Sequence, residues 1–231
     1  MQHVQGTICS NIINGRLVYF FVKTPNDVIQ AQHFAGQFYE QEELSIIARY
    51  FESGGVFADI GANVGNHCVY VGCFLKPARI LLVEPNPAAL PSLRLNVQLN
   101  NLSALVDDTR LGIGLSNQFG FADAFTPAPT NLGQTIMRVG QDDGTIPILP
   151  GDIVFESNHI DFLKIDVEGM EVDVLTGLGR TIARCRPKIF VEVDEKNVVA
   201  FEQWCEHNSY SVAERFRRYN WNENYMLVPQ G

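Results

Sequence analysis

Apolar and polar positions alternate from Ile8 to Ile13, stop at Asn14-Gly15 and resume through "RLVYFFVKT", a pattern that predicts a β-hairpin closed by a tight turn. Pro25, Asn26 and Asp27 mark a turn or the start of a helix. In "EQEELSIIARYFESGG", Leu44, Ile47, Ala48 and Phe51 share one helical stripe, which Gly54-Gly55 ends. From there the pattern becomes strand, turn and helix in repetition. "VFADI" leads through "GANVG" to "NHCVYVGCFL", "RILLVE" leads to "PNPAALPSLRLNVQLNN", and a further strand is expected near Ala104 to Asp108. Continuous apolar strands alternating with helices predict an α/β domain with a mostly parallel sheet covered on both faces.

The pattern weakens after Arg110. The stretch from about 118 to 150, rich in Gly, Pro, Thr and Asn, predicts short strands in an irregular surface excursion. It strengthens again at "DFLKID", followed by a helix from about Glu171. "RPKIFVEV" is a fifth parallel strand after Pro187, and Lys196 to His207 a helix carrying Val199, Phe201 and Trp204. Two extended runs, "YSVAERFR" and "NENYMLVP", flank a polar turn at Asn220 to Asn224.

Composition narrows the partners. Among 231 residues, 46% are hydrophobic, enough for a substantial core. The 26 acidic residues outnumber 17 basic ones, giving a formal charge of -9, and no basic run exceeds Arg217-Arg218. A nucleic-acid face built on phosphate neutralisation is therefore not expected. The N-terminus lacks a basic stretch leading into a long apolar one, and no 18 consecutive residues are apolar, so neither a leader nor a membrane span is expected. Five widely spaced cysteines without a C-x-x-C pair fit buried small hydrophobes in a reducing cytoplasm.

The turn "DIGANVG" carries candidate chemistry. It places Asp59 at a strand end, Gly61 and Gly65 in the turn and Asn63 between them, directly before a helix. Glycines there let a ligand lie against the main chain. A dinucleotide fingerprint would need glycine at position 63, and a phosphate loop would need G-K-[ST] to follow; neither is present. Glu84 ends the next strand, 19 residues after Gly65, where an acid can accept hydrogen bonds from ribose hydroxyls. A glycine turn and a ribose acid without phosphate apparatus fit S-adenosylmethionine, its amino-acid end on backbone amides and Asp59, its ribose on Glu84, its adenine against apolar walls.

The stretch "DFLKIDVEGMEVDVL" concentrates charge. Lys164 and Asp166, two apart on a strand, face the same side and can pair near its C-terminal end. Ligands of open parallel sheets bind beyond the carboxyl ends of the strands, so Asp59, Glu84, Asp166 and Glu192 are expected along one rim. A calcium loop fails on spacing: counted from Asp166, glycine falls at position 4 and Gly177 occupies position 12. No metal site is expected. Glu171 and Asp173 suit the start of a helix, whereas Asp166 and Glu168 are candidates for proton transfer, with Lys164 tuning its neighbour. His67 is a second candidate base, although a lone histidine is more often structural.

Together, "VFADIGANVG", "LLVEPNP", "GLS" at Gly114 to Ser116, "FLKIDVEGMEVDVLTGL" and "RPKIFVEV" resemble the FkbM-type S-adenosylmethionine-dependent methyltransferases, from about Phe38 to Val193. The resemblance implies a Rossmann-like class I methyltransferase sheet of seven strands, the last antiparallel, in residues 53–231, with residues 1–52 as a hairpin and helix extension. It implies S-adenosylmethionine as cofactor and O-methylation of a hydroxyl on a sugar, glycolipid or secondary metabolite, with a small molecule or glycan as partner. By position it puts Asp59, Gly61, Asn63, Gly65 and Asn66 around the methionine part and Glu84, Pro85 and Asn86 around the ribose. Asp166, Glu168 and Lys164 fall at the reaction end, and Tyr39 or Glu40 closes over the cofactor. An N- or protein-methyltransferase, or a non-catalytic nucleoside-binding module, stands as the alternative; no N-P-P-[YF] motif follows the fourth strand to favour a nitrogen acceptor. Phe119, Phe121 and Phe125 either wall an acceptor pocket or, the preferred reading, anchor the excursion to the core.

Overall fold

A computed structural model of the chain describes residues 5–128, 130–140 and 144–231. Residues 1–4 of the expected extension, and 129 and 141–143 of the expected excursion, lie outside the described residues. Strands β1 (Thr7–Ile13) and β2 (Arg16–Val22) form the predicted hairpin about Asn14-Gly15, both residues at positive φ. Helices α1 (Val28–Phe34) and α2 (Gln41–Tyr50) follow. Asp27 caps α1, its Oδ1 accepting from Gln30 N at 3.0 Å.

The core is a seven-stranded sheet. Its parallel members are β3 (Val56–Ile60), β4 (Arg79–Glu84), β5 (Val106–Leu111), β10 (Phe162–Ile165) and β11 (Lys188–Asp194). At its edge lie β12 (Tyr210–Phe216) and β13 (Asn222–Pro229), with β13 antiparallel to both β11 and β12. The order β12-β13-β11-β10-β3-β4-β5 reverses direction of growth between β3 and β10, the switch point where open sheets take ligands. Helices α3 (Asn66–Phe74) and α4 (Leu90–Leu99) connect the first strands; α6 (Glu171–Gly177), α7 (Gly179–Cys185) and α8 (Val198–His207) connect the later ones. The helix expected from Glu171 is two short helices meeting at Leu178, and the one expected from Lys196 begins as a 3₁₀ turn at Glu195–Asn197.

Every residue of β3 after Val56 is buried, as is all of β10, which explains their unbroken apolar character. One face of the sheet packs Phe57, Ile80 and Phe162 against α3, α4 and the hairpin's inner residues Val18, Phe20 and Val22. The other packs Ile60, Leu163, Ile165 and Val191 against Val174, Ile182 and Phe201. The hairpin is held by side chains that imitate a neighbouring strand. Asn96 Oδ1 accepts from Phe21 N at 2.6 Å, while Asn100 accepts from Tyr19 N at 3.0 Å and donates to Tyr19 O at 2.8 Å. Those amides satisfy buried backbone groups on the edge of β2.

The excursion after β5 is more ordered than its composition suggests. It forms a second sheet from β6 (Gly114–Ser116), β7 (Gly120–Phe125), β8 (Ile136–Val139) and β9 (Ile146–Pro150), in the order β6-β9-β7-β8. A helical turn, α5 (Gly151–Val154), leads back towards β10. Gly177 lets α6 approach β6, since a Cβ there would lie 1.9 Å from Ser116 O. The 3₁₀ turn Leu132–Gln134 folds back onto α1: Leu132 N donates to Asp27 Oδ2 at 2.7 Å and Val28 N to Thr130 O at 3.1 Å. The excursion thus stands over the C-terminal ends of the parallel strands. No described helix is long and apolar enough to cross a membrane.

Candidate functional site

Two adjoining cavities open beyond the C-terminal ends of β3, β4, β10 and β11, and both are bordered by Gly61, Asn63, Asp166 and Glu168. The glycine turn shapes their shared floor. Gly61, Asn63 and Gly65 all have positive φ, and Gly61 N and Ala62 N donate to Val83 O at 2.9 and 3.1 Å. A Cβ on Gly61 would lie 1.8 Å from Asp166 O, so the turn passes directly over the end of β10.

The smaller cavity, about 60 Å³, lies under Glu84. Glu84 Oε2 accepts from Asn63 N and Oε1 from Asn86 N, each at 2.7 Å, which fixes the carboxylate with lone pairs to spare. Burial pushes this acid up to about 7 against the opposing pull of those two amides. Ile60, Val83, Pro85, Leu115 and Ile148 supply apolar walls. Two of these, Leu115 and Ile148, belong to the second sheet, and Ile148 lies in the excursion read from sequence as surface, which thus builds part of the site. The alternation in "IPILP" was its only local signal.

The larger cavity, about 260 Å³, is lined by acids. Glu40 and Glu168, both at positive φ, enter it from the approach to α2 and from the turn after β10, and Glu192 enters from β11. Carboxylate oxygens of Asp166, Glu168 and Glu192 lie within 4.8 Å of one another. That spacing could accommodate a cation, a grouping that no test of loop spacing detects because Glu192 comes from a neighbouring strand. Burial, then the Asp166 charge, raises Glu40 and Glu168 to about 8 each, and the same causes hold Glu192 well above the usual carboxylate range.

Beneath these acids sits Lys164, 2% exposed. Its Nζ lies 3.3 Å from both Asp59 Oδ1 and Asp166 Oδ2 and donates to Gly61 O at 2.7 Å. The expected pairing with Asp166 is present, and Asp59, its register partner on β3, adds a second. Burial alone would lower the ammonium; facing Asp166, Asp59 and Glu40, it is raised above the ordinary lysine value.

Several expectations change in detail. Asp59 was expected against the methionine part, but its side chain is fully buried and borders neither cavity. It acts on the turn through Lys164. Gly65 also borders neither; a Cβ there would lie 2.8 Å from Leu93 Cδ1, so it serves the packing of α3 on α4. Asn66 does border the larger cavity and clamps the approach to α2, accepting from Tyr39 N at 2.9 Å and donating to Tyr39 O at 2.9 Å. Pro85 and Asn86 border the smaller one. His67 lies in the larger cavity, its Nε2 3.6 Å from Glu40 Oε2, and burial keeps the ring neutral. Glu171 begins α6 as expected, yet it is buried and accepts from Asp194 N and Asn197 Nδ2 at 2.8 and 2.9 Å, tying α6 to the end of β11. Phe119, Phe121 and Phe125 neither wall the cavities nor reach the core: all three are exposed, and Phe125 lies under the Arg138 guanidinium. The aromatic residues at the site are instead Tyr39, Tyr219 and Trp221, the last two from the turn between β12 and β13, which sequence reading left as a polar connection.

S-adenosylmethionine fits these residues. A buried carboxylate with spare lone pairs sits beside apolar walls in one cavity, and a glycine floor leads to an acid-lined cavity suited to a sulfonium and an ammonium. Three buried polar atoms bordering the larger cavity, Asn63 Oδ1, His67 Nε2 and Asn222 Oδ1, have no partner in the protein, as expected where a ligand completes the hydrogen bonding.

Residues 59–217 match the methyltransferase FkbM domain. The chain is 28% identical over 193 residues to the hexuronic acid methyltransferase AglP of Haloferax volcanii, covering 80% of this chain and 76% of that one. Among solved structures it resembles the methyltransferase FkbM from Methylobacillus flagellatus KT, with TM-score 0.54 and 18% identity over 76% of this chain and 44% of that one. It also resembles the B. subtilis tRNA methyltransferase TrmK, with TM-score 0.53 and 13% identity over 82% and 66% of the two chains. At those identities the two structures speak for the Rossmann-like fold alone. With the family matched across 59–217 and the methyltransferase sheet order beneath it, this chain belongs to the methyltransferase FkbM domain family.

Proposed function

We propose that this methyltransferase uses S-adenosylmethionine to methylate a hydroxyl of a sugar-bearing acceptor. The observation that carries the reading is the position of Glu168, which borders both the cavity under Glu84 and the acid-lined cavity, at the place where the two meet. When bound, S-adenosylmethionine supplies a methyl group on a positively charged sulfur, so the leaving group needs no acid.

The protein's work is then alignment and removal of one proton. Glu84 receives ribose hydroxyls, with Pro85 and Asn86 beside it and Ile60, Val83 and Leu115 against the base. Gly61, Asn63 and Asn66 border the amino-acid end, and Lys164 holds the Gly61 carbonyl and Asp166 in place from below. Glu168, with Asp166 beside it, accepts the proton of the acceptor hydroxyl; burial gives Glu168 a greater proton affinity than an exposed acid has. Glu40 and Tyr39, clamped by Asn66, close one side.

The sugar acceptor is supported by the hexuronic acid methyltransferase relative and by a cavity rich in hydrogen-bond acceptors. A nucleic-acid acceptor is disfavoured by the formal charge of -9, which repels a polyanion. The test is release of S-adenosylhomocysteine with a panel of glycosides, amines and RNA. Glycosides are expected to turn over, with Glu168→Gln lowering kcat roughly 10²-fold or more, as loss of a general base does. Turnover with amines or RNA and none with hydroxyl acceptors would overturn the reading.

A further inference from the structure

Trp221 is 54% exposed, an unusual position for a side chain of its size, and it borders both the acid-lined cavity and an open groove that shares Glu168. The indole is nonetheless held firmly. It stacks on Tyr219 with centroids 4.7 Å apart and planes 9° from parallel. Tyr219 Oη is 2.8 Å from Tyr39 Oη, and the neighbouring Arg218 reaches α2 through Glu42 and Glu43, with Nε 2.7 Å from Glu43 Oε1. Glu195 N donates to Trp221 O at 2.9 Å, fixing the backbone as well. A rigid aromatic surface therefore stands at the mouth of the cavity, with Ile136 of β8 and Pro127 of the connection between β7 and β8 forming another side of the groove.

The groups behind that surface call for a particular ligand. Each carboxyl group of Asp166, Glu168 and Glu192 presents at least one acceptor oxygen, and His67 Nε2 and Asn222 Oδ1 are without partners. Lys164 is engaged by Asp59, Asp166 and the Gly61 carbonyl, and Lys196, in the groove, is 2.9 Å from Asp194. Among the described residues lining the cavity and groove, every lysine ammonium is thus already matched with a carboxylate. A ring bearing hydroxyls would bring donors to these acceptors and lay its C–H face on the indole. A carboxylate on that ring would meet the same burial and the same Asp166 charge that already hold Glu40, Glu168 and Glu192 towards their neutral forms.

We propose that Trp221 is the platform of the acceptor subsite and that the acceptor presented to it is an uncharged sugar ring, in contrast to the hexuronic acid named for the Haloferax volcanii relative. This deepens the sugar reading above and rests on it. It assigns Trp221 a role in acceptor binding: beyond the acid-lined cavity the residue borders the outer groove, which none of Gly61, Asn63 and Asn66 at the amino-acid end borders.

The chain has two tryptophans, and the second, Trp204, is buried, so ring binding is readable in the emission of Trp221. The protein, with and without S-adenosylhomocysteine, is titrated with methyl glucoside, methyl galactoside, methyl mannoside and glucuronate, and Trp221→Phe serves as the control that removes the signal while keeping a ring. At least one neutral glycoside is expected to change the emission of the wild type and not of Trp221→Phe, with glucuronate weaker by about tenfold, the equivalent of 1.4 kcal/mol. In turnover, Trp221→Ala is expected to raise KM for that glycoside by about tenfold while the Kd for S-adenosylhomocysteine stays within about threefold. Glucuronate matching the neutral glycosides, with or without added Mg²⁺, overturns the proposal, as does tight binding of S-adenosylhomocysteine with no response to any neutral glycoside. The latter result would leave the cofactor assignment standing, whereas failure to bind S-adenosylhomocysteine would end both.

Discussion

Lys164 and Asp59 face each other across adjacent parallel strands, Nζ 3.3 Å from Oδ1, and neither is open to solvent. A charge pair taken out of water holds only while both members remain, because either one alone is a buried, unmatched ion. Lys164→Met is therefore expected to lower unfolding stability by about 3–5 kcal/mol, measured by denaturant titration. Asp59→Asn in the same chain should recover part of that loss. A single Lys164→Met that unfolds like the wild type would show that the pair is not holding β3 to β10.

Gly61 is constrained from two sides. Its φ is +79°, and a Cβ would lie 1.8 Å from Asp166 O. Gly61→Ala must move the turn or the end of β10, and the floor common to both cavities moves with it. The expected result is a loss of affinity for S-adenosylhomocysteine of at least about tenfold, 1.4 kcal/mol, by calorimetry. Gly112→Ala is the matched control: its φ is +91° but nothing lies near the added atom, so only the backbone penalty of about 1 kcal/mol in stability is expected.

Acidity should be visible in ligand affinity. Glu84 is raised by burial from its ordinary 4.5 to about 7. The folded protein thus holds this proton more tightly than the unfolded chain, and the group's contribution to stability declines as pH rises from 4.5 towards 7. Ligand binding has the opposite slope, because the ionised carboxylate is the better acceptor for ribose hydroxyls. Affinity for S-adenosylhomocysteine is expected to rise between about pH 6 and pH 8, and Glu84→Gln should flatten that part of the profile. An equally steep rise in the variant would assign the titration to another group.

Much of this site was legible in the chain because its signals are local. The positive-φ turn is written in the glycines of "GANVG", the buried acid of the smaller cavity in the last residue of "RILLVE", and two acids of the larger cavity in "KIDVEG". What escaped is set by contacts distant in sequence. Nothing near Asp59 indicates that Lys164, 105 residues later, will take up its charge as its register partner. Gly65 looks like a ligand glycine until α4 is seen packed against it. Trp221 and Tyr219 reach the cavity only because β13 lies next to β11, and Glu192 completes the acid cluster because β11 lies next to β10. The second sheet is legible only as short strands: they are as short as Gly114–Ser116 and pair out of sequence order, so little beyond the alternation in "IPILP" indicates that they join into one sheet beside the site.

The central claim is that the cavity under Glu84 holds the nucleoside of S-adenosylmethionine, and calorimetric titration of wild type and Glu84→Ala tests it most directly. The wild type is expected to bind S-adenosylmethionine and not NAD, and Glu84→Ala to bind at least about tenfold more weakly for the loss of its charge-assisted hydrogen bonds. No binding by the wild type, or equal binding by a folded Glu84→Ala, would contradict it.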